Sequence, residues 1–102
     1  MAGGGQFRMQ DHRQTLQAVT AAIAESPRSG SSLILYALMN TINYPQAGCL
    51  FKLDKLQDLS PRQRQLAYAL IELMATGANR GEAWRSAMRQ VDELVRTAQS
   101  PK

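Results

Sequence analysis

Cysteine is all but missing from this chain. Cys49 is the single one, so no disulfide can close within the chain, and the composition suits a reducing, cytoplasmic compartment better than a stapled secreted domain. Histidine is equally scarce. His12 stands alone and no HExxH or CxxC spacing is present, so the sequence predicts no metal site. A thiol nucleophile made of Cys49 with His12 as its base would lack an orienting third group. Beside Leu50 and Phe51, Cys49 reads as a small buried apolar side chain. Long apolar runs are also lacking. The longest, Leu33 to Met39, is seven residues, whereas a membrane span needs about 20. Residues Met1 to Gln6 carry no apolar signal segment. The expectation is a cytoplasmic chain that does not use the membrane as a partner. Gly3, Gly4 and Gly5 precede no strand-like segment and match no phosphate-binding loop, so no cofactor is expected. Aromatic residues are only 6% of the chain, which leaves a core to be built mainly from aliphatic side chains.

What is present is helix-forming stock: Leu, Met, Ala, Gln and Arg. At 102 residues, with 44% hydrophobic and 20% charged residues, the chain suits one ordinary globular domain. The pattern predicts an all-α fold, a small helical bundle of four main helices plus a short helical piece between the second and third. Residues 1–10 read as a disordered Gly-rich N-terminus, 11–98 as the single helical domain and 99–102 as a disordered tail. The first helix is expected from Asp11, as cap, to about Glu25, with Leu16, Val19 and Ile23 on its apolar face. A turn at Pro27–Ser32 leads to a second helix over about Leu33–Asn43, capped by Ser31 or Ser32. This helix is apolar around most of its circumference, so it should be buried on several sides. Asn43–Gly48 breaks the chain. Cys49–Leu59 carries Leu50, Phe51, Leu53, Leu56 and Leu59 in a spacing that predicts one or two helical turns, with Lys52, Asp54, Lys55, Gln57 and Asp58 outward. The third helix has the clearest start: Ser60, Pro61 and Gln63 stand at N-cap, N1 and N3, and Gly77 supplies a left-handed end. Asn79 and Glu82 read as a second capping box for a fourth helix running to about Ala98, whose apolar face is Trp84, Ala87, Met88, Val91, Leu94 and Val95. The short connection predicts that the third and fourth helices are neighbours.

Acid, base and nucleophile do not assemble into a catalytic set. Asp92 and Glu93 are adjacent on a helix and point apart, where they suit Arg89 and Arg96 as ion-pair partners. The sequence therefore predicts no catalytic residues and no enzyme. It predicts instead a small cytoplasmic protein–protein interaction or assembly module that forms a homodimer, with the identity of any other protein partner open. A second apolar side of the second helix would face the partner copy. The residues assigned to that interface are Leu35, Tyr36, Met39, Ile42 and Trp84, although Trp84 also lies in line with the core face of its own helix. Left exposed, a patch of this kind is larger than a monomer usually tolerates, and a twofold partner would hide it on both copies.

The alternative is nucleic-acid binding. Twelve basic residues, nine of them Arg, stand against eight acidic ones, for a net charge of +4. Arg62 and Arg64 open the third helix, and Arg80, Arg85 and Arg89 lie at the front of the fourth. Two helices crossing in a helix-turn-helix would bring Arg80 and Arg85 to base edges. The stretches Leu59–Gln63, Thr76–Asn79 and Glu82–Ala87 resemble the first helix pair of phage terminase small subunits, and the resemblance implies DNA binding by the helices 60–76 and 80–98. Where that family turns again after its second helix, this chain continues helical through Val95. Glu82, Asp92 and Glu93 would also repel phosphates.

Overall fold

The computed structural model describes residues 12–43 and 51–99. Among them the order of elements is α1 (His12–Glu25), α2 (Gly30–Asn43), a 3-10 helix (Leu53–Asp58), α3 (Pro61–Ala75) and α4 (Glu82–Gln99). The all-α bundle of four main helices, with a short helical piece between the second and third, is the fold observed. The expected cap at Asp11, the Gly-rich N-terminus, Tyr44–Gly48 of the expected break, Cys49 and residues 100–102 lie outside the described residues. α4 runs one residue further than expected, into Gln99.

Two helix starts differ from their expected positions. α2 begins at Gly30, and its cap is Ser29 rather than Ser31 or Ser32. The Ser29 hydroxyl accepts from the Ser32 amide at 3.1 Å, and the Ser29 carbonyl takes the first helical bond, from Leu33, at 3.1 Å. At α4 the capping box on Asn79 does not form. Gly81, at φ 92°, accepts the first helical bond from the Arg85 amide at 3.0 Å, which puts it in the cap position. Asn79 instead donates its side-chain amide to the Ile42 carbonyl at 2.8 Å, closing one of the open carbonyls at the end of α2.

Both ends of α3 form as the sequence predicts. The Ser60 hydroxyl accepts from the Gln63 amide at 3.2 Å, and the Gln63 side chain accepts from the Ser60 amide at 3.0 Å. At the far end Gly77 has φ 80°. Its amide reaches the Met74 carbonyl at 2.9 Å while the Ala78 amide reaches Leu73 at 3.0 Å. These two bonds are the Schellman arrangement, which needs a left-handed residue at the position Gly77 holds.

Side-chain pairings fix the directions of the helices. His12 meets Thr76 beyond the end of α3, while Glu25 shares a surface hollow with Ser60 and Arg62 at its start, so α1 and α3 are antiparallel. Tyr36 reaches Asp92 and Asn43 reaches Trp84, so α2 and α4 are antiparallel. Arg13 shares a hollow with Ala83, and Pro27 one with Leu94 and Ala98, so α1 and α4 run the same way. α1 packs on all three other helices and α2 does the same, whereas α3 and α4 barely touch each other. The expectation that a short link makes α3 and α4 neighbours is therefore corrected. The link carries the chain around one end of the central α1–α2 pair, and α3 and α4 flank that pair on either side.

The core is continuous through all four helices. Val19, Ile23, Met39, Ala67, Leu70, Leu73 and Val91 are fully enclosed, with Leu35, Leu38, Ile42, Leu59 and Trp84 nearly so. No buried side-chain nitrogen or oxygen among the described residues lacks a hydrogen-bond partner. Truncating Leu38 to Ala is expected to cost about 2–5 kcal/mol, because a cavity replaces the lost side chain. Ser60→Ala is expected to cost about 0.5–2 kcal/mol through loss of the cap. Urea unfolding followed by circular dichroism measures both, and an unchanged midpoint in either variant would contradict the corresponding reading.

Candidate functional site

The most apolar helix is not covered on every side. Gly30, Leu33 and Ala37 follow one another along an outer strip of α2, and all three are exposed, with Ile34 half-buried beside them. The strip forms one wall of an open groove of about 700 Å³. Phe51 and the 3-10 helix form the other wall.

The 3-10 helix repeats every three residues, so residues three apart stack on one side. Lys52, Lys55 and Asp58 form one such row, and all three line the groove. Leu53, Leu56 and Leu59 form the next row. Leu59 is 3% exposed and anchored in the core, Leu56 is half-buried, and Leu53 is 71% exposed. An apolar row thus starts in the core and ends in water beside the groove.

The interface residues expected from the sequence lie elsewhere. Leu35, Met39, Ile42 and Trp84 are at most 3% exposed, all enclosed by the chain's own helices. They have no surface to offer a partner, which corrects their assignment. The physical reason is that α1, α3 and α4 all reach α2, so three neighbours cover what one or two would leave open. Trp84 also donates its indole N–H to the Asn43 side-chain oxygen at 2.7 Å, fixing the first turn of α4 to the last turn of α2. The remaining open strip of α2 is Gly30, Leu33 and Ala37, and the residues facing it, Phe51, Lys52, Lys55 and Asp58, belong to the segment whose sequence pattern is shortest. The three-residue spacing of Lys52, Lys55 and Asp58 was the available signal.

Tyr36 is half-buried at the contact between α2 and α4. Its hydroxyl donates to one carboxylate oxygen of Asp92, and Arg96 pairs with the other at 2.9 Å. The hydrogen bond from Tyr36, joined by the bond and charge of Arg96, holds the Asp92 carboxyl below the usual carboxylate range. Burial, then the bond to Asp92, pushes the Tyr36 phenol above its ordinary value, so it remains a neutral donor near pH 7.

The five arginines of the nucleic-acid alternative are not brought together. Arg62 and Arg64 stand at the start of α3, beside the end of α1, whereas Arg80 precedes α4 beside the start of α1. The length of α3 separates the two groups by about 20 Å. Arg85 and Arg89 both turn toward Glu82, at 3.7 Å each. Arg80 donates back to the Gly77 carbonyl and Arg64 to the Leu59 carbonyl, at 3.2 Å each. Since α3 and α4 barely touch, they do not form the crossed pair of a helix-turn-helix.

Among the described residues, no three His, Cys, Asp or Glu side chains gather closely enough to hold a metal ion. His12 meets the Thr76 hydroxyl at 3.2 Å, and that hydroxyl donates onward to the Leu73 carbonyl, which leaves His12 tying α1 to the end of α3. No helix among the described residues is long and apolar enough to cross a membrane. No family model, no curated protein and no solved structure matches the chain, so the resemblance to terminase small subunits gains no support from comparison.

The Asp92 arrangement has a definite pH sign. Because its folded-state value is lowered, its contribution to stability is fully present above the unfolded value of about 4 and is lost as pH falls through the lowered folded value. Asp92→Asn keeps an acceptor for Tyr36 but removes the titration. Urea midpoints at pH 7 and pH 3 are expected to differ less in the variant than in the parent chain, and an equal difference would mean that Asp92 is not coupled to folding.

Proposed function

We propose that this chain is a small non-catalytic protein–protein interaction module of the cytoplasm that acts as a homodimer. The observation that carries the reading is the open apolar strip of α2, Leu33 and Ala37 with Gly30, facing a groove on the chain's most apolar helix. Apolar surface gathered on one face favours association, because covering it removes it from water. A twofold partner covers the same strip on both copies at once. The lone cysteine fits a reducing compartment. The surface charges support protein contact over nucleic acid, since Arg85 and Arg89 share Glu82, and Arg62 and Arg64 lie at the opposite end of α3 from Arg80.

Sedimentation equilibrium tests the reading. The expected mass at micromolar concentration is twice 11.3 kDa, and Leu33→Glu should return it to the single-chain value with the helical circular dichroism unchanged. A parent chain that stays at 11.3 kDa as its concentration is raised well above the micromolar range would overturn the homodimer.

A further inference from the structure

Leu53 is the most exposed large apolar side chain among the described residues, and it directly follows the groove-lining Lys52 without lining the groove itself. The row Leu53–Leu56–Leu59 explains why it is held there. Leu59 is fixed in the core and Leu56 packs against it, so the short helix projects Leu53 outward as a knob on a rigid base. Beside the knob is a hole, walled by Leu33, Ala37 and Phe51. A knob next to a hole on one surface is what a twofold dimer uses reciprocally, since each copy presents both.

The charges of the same segment select the occupant. Lys52, Lys55 and Asp58 line the groove, so both signs of charge face whatever enters it. An acidic or basic peptide would gain from one sign and be repelled by the other. A second copy of this chain, turned by 180°, can set Lys55 against Asp58 in both directions.

We infer that the homodimer proposed above closes by reciprocal insertion, with Leu53 of each copy seated in the other copy's groove between α2 and Phe51 and with Lys55 paired across the axis to Asp58. The inference rests on that homodimer reading and adds to it the residue that each copy supplies to complete the other's site. Leu53 is largely in water in the single chain, so its truncation leaves the fold intact and acts on association.

The experiment is sedimentation equilibrium on the full chain and five variants, Leu33→Glu among them, each checked for unchanged helical circular dichroism. Leu53→Ala is expected to raise the dimer dissociation constant by at least about tenfold, as truncating an interface anchor does. Lys55→Asp and Asp58→Lys should each weaken the dimer, and the double variant should recover most of the loss, because the pair is restored with its signs exchanged. If Leu53→Ala dimerises as tightly as the parent while Leu33→Glu dissociates it, the knob assignment is overturned and the homodimer through α2 stands. If neither variant affects the dimer, the contact lies on another face and both readings of the surface fail. A parent chain that is monomeric at every concentration removes the homodimer and the insertion together.

Discussion

Two helices in the middle of this bundle must be satisfied before anything else can be placed. α1 and α2 are joined by a short turn and pack on one another, and together they fill the space between α3 and α4. Val19 and Ile23 from one and Leu35 and Met39 from the other are shut away from water. Burial of such side chains contributes about 1.5–3 kcal/mol each, so the central pair supplies a large share of the stability of a chain this short. The other two helices are positioned by what the pair leaves uncovered. α3 brings Ala67, Leu70 and Leu73 to one side, and α4 brings Trp84, Ala87, Val91 and Val95 to the other.

Polar groups do the work of register at the edges of this apolar centre. The Asn79 amide on the Ile42 carbonyl and the Trp84 indole on Asn43 lock one end of α2, and Tyr36 with Asp92 locks α4 further along. A hydrophobic face alone would let α4 slide by a turn along α2, because dispersion and burial are non-directional. Hydrogen bonds between fixed side chains are directional and pick one alignment. The ion pairs of Glu82 with Arg85 and Arg89 are exposed and add little stability.

Local signals in the sequence were legible and long-range ones were not. Ser60, Pro61, Gln63 and Gly77 announce both ends of α3 because caps depend on neighbours in the chain. The burial of α2 was legible from its apolar circumference. Asn79 misleads because its cap geometry competes with a carbonyl that only tertiary packing brings near, and the left-handed Gly81 relieves it of the capping role. The interface residues went astray for a similar reason. Periodicity shows that α2 has two apolar sides but not how many helices surround it, and three neighbours enclose Leu35, Met39 and Ile42 while leaving Leu33 and Ala37 open. The arginines look clustered along the chain, yet α3 carries them to opposite ends of the bundle. The groove itself depends on a 3-10 helix of six residues, too short for apolar spacing to reveal which side faces α2.

The pairing of α1 with α4 also has a temporal meaning. The chain is made from its N-terminus, and α1 emerges from the ribosome well before the helix that covers the largest part of it. Until α4 follows, Leu16 lacks the wall that Ala83 and Ala87 supply, and the Ile42 carbonyl and the Asn43 side chain wait for Asn79 and Trp84. Contacts that join distant parts of a chain delay folding, since the intervening loop must first be closed. A nascent chain ending after α3 would leave open the apolar face that Trp84, Ala87, Val91 and Val95 close in the finished core. Synthesis through Val95 is therefore what completes the core.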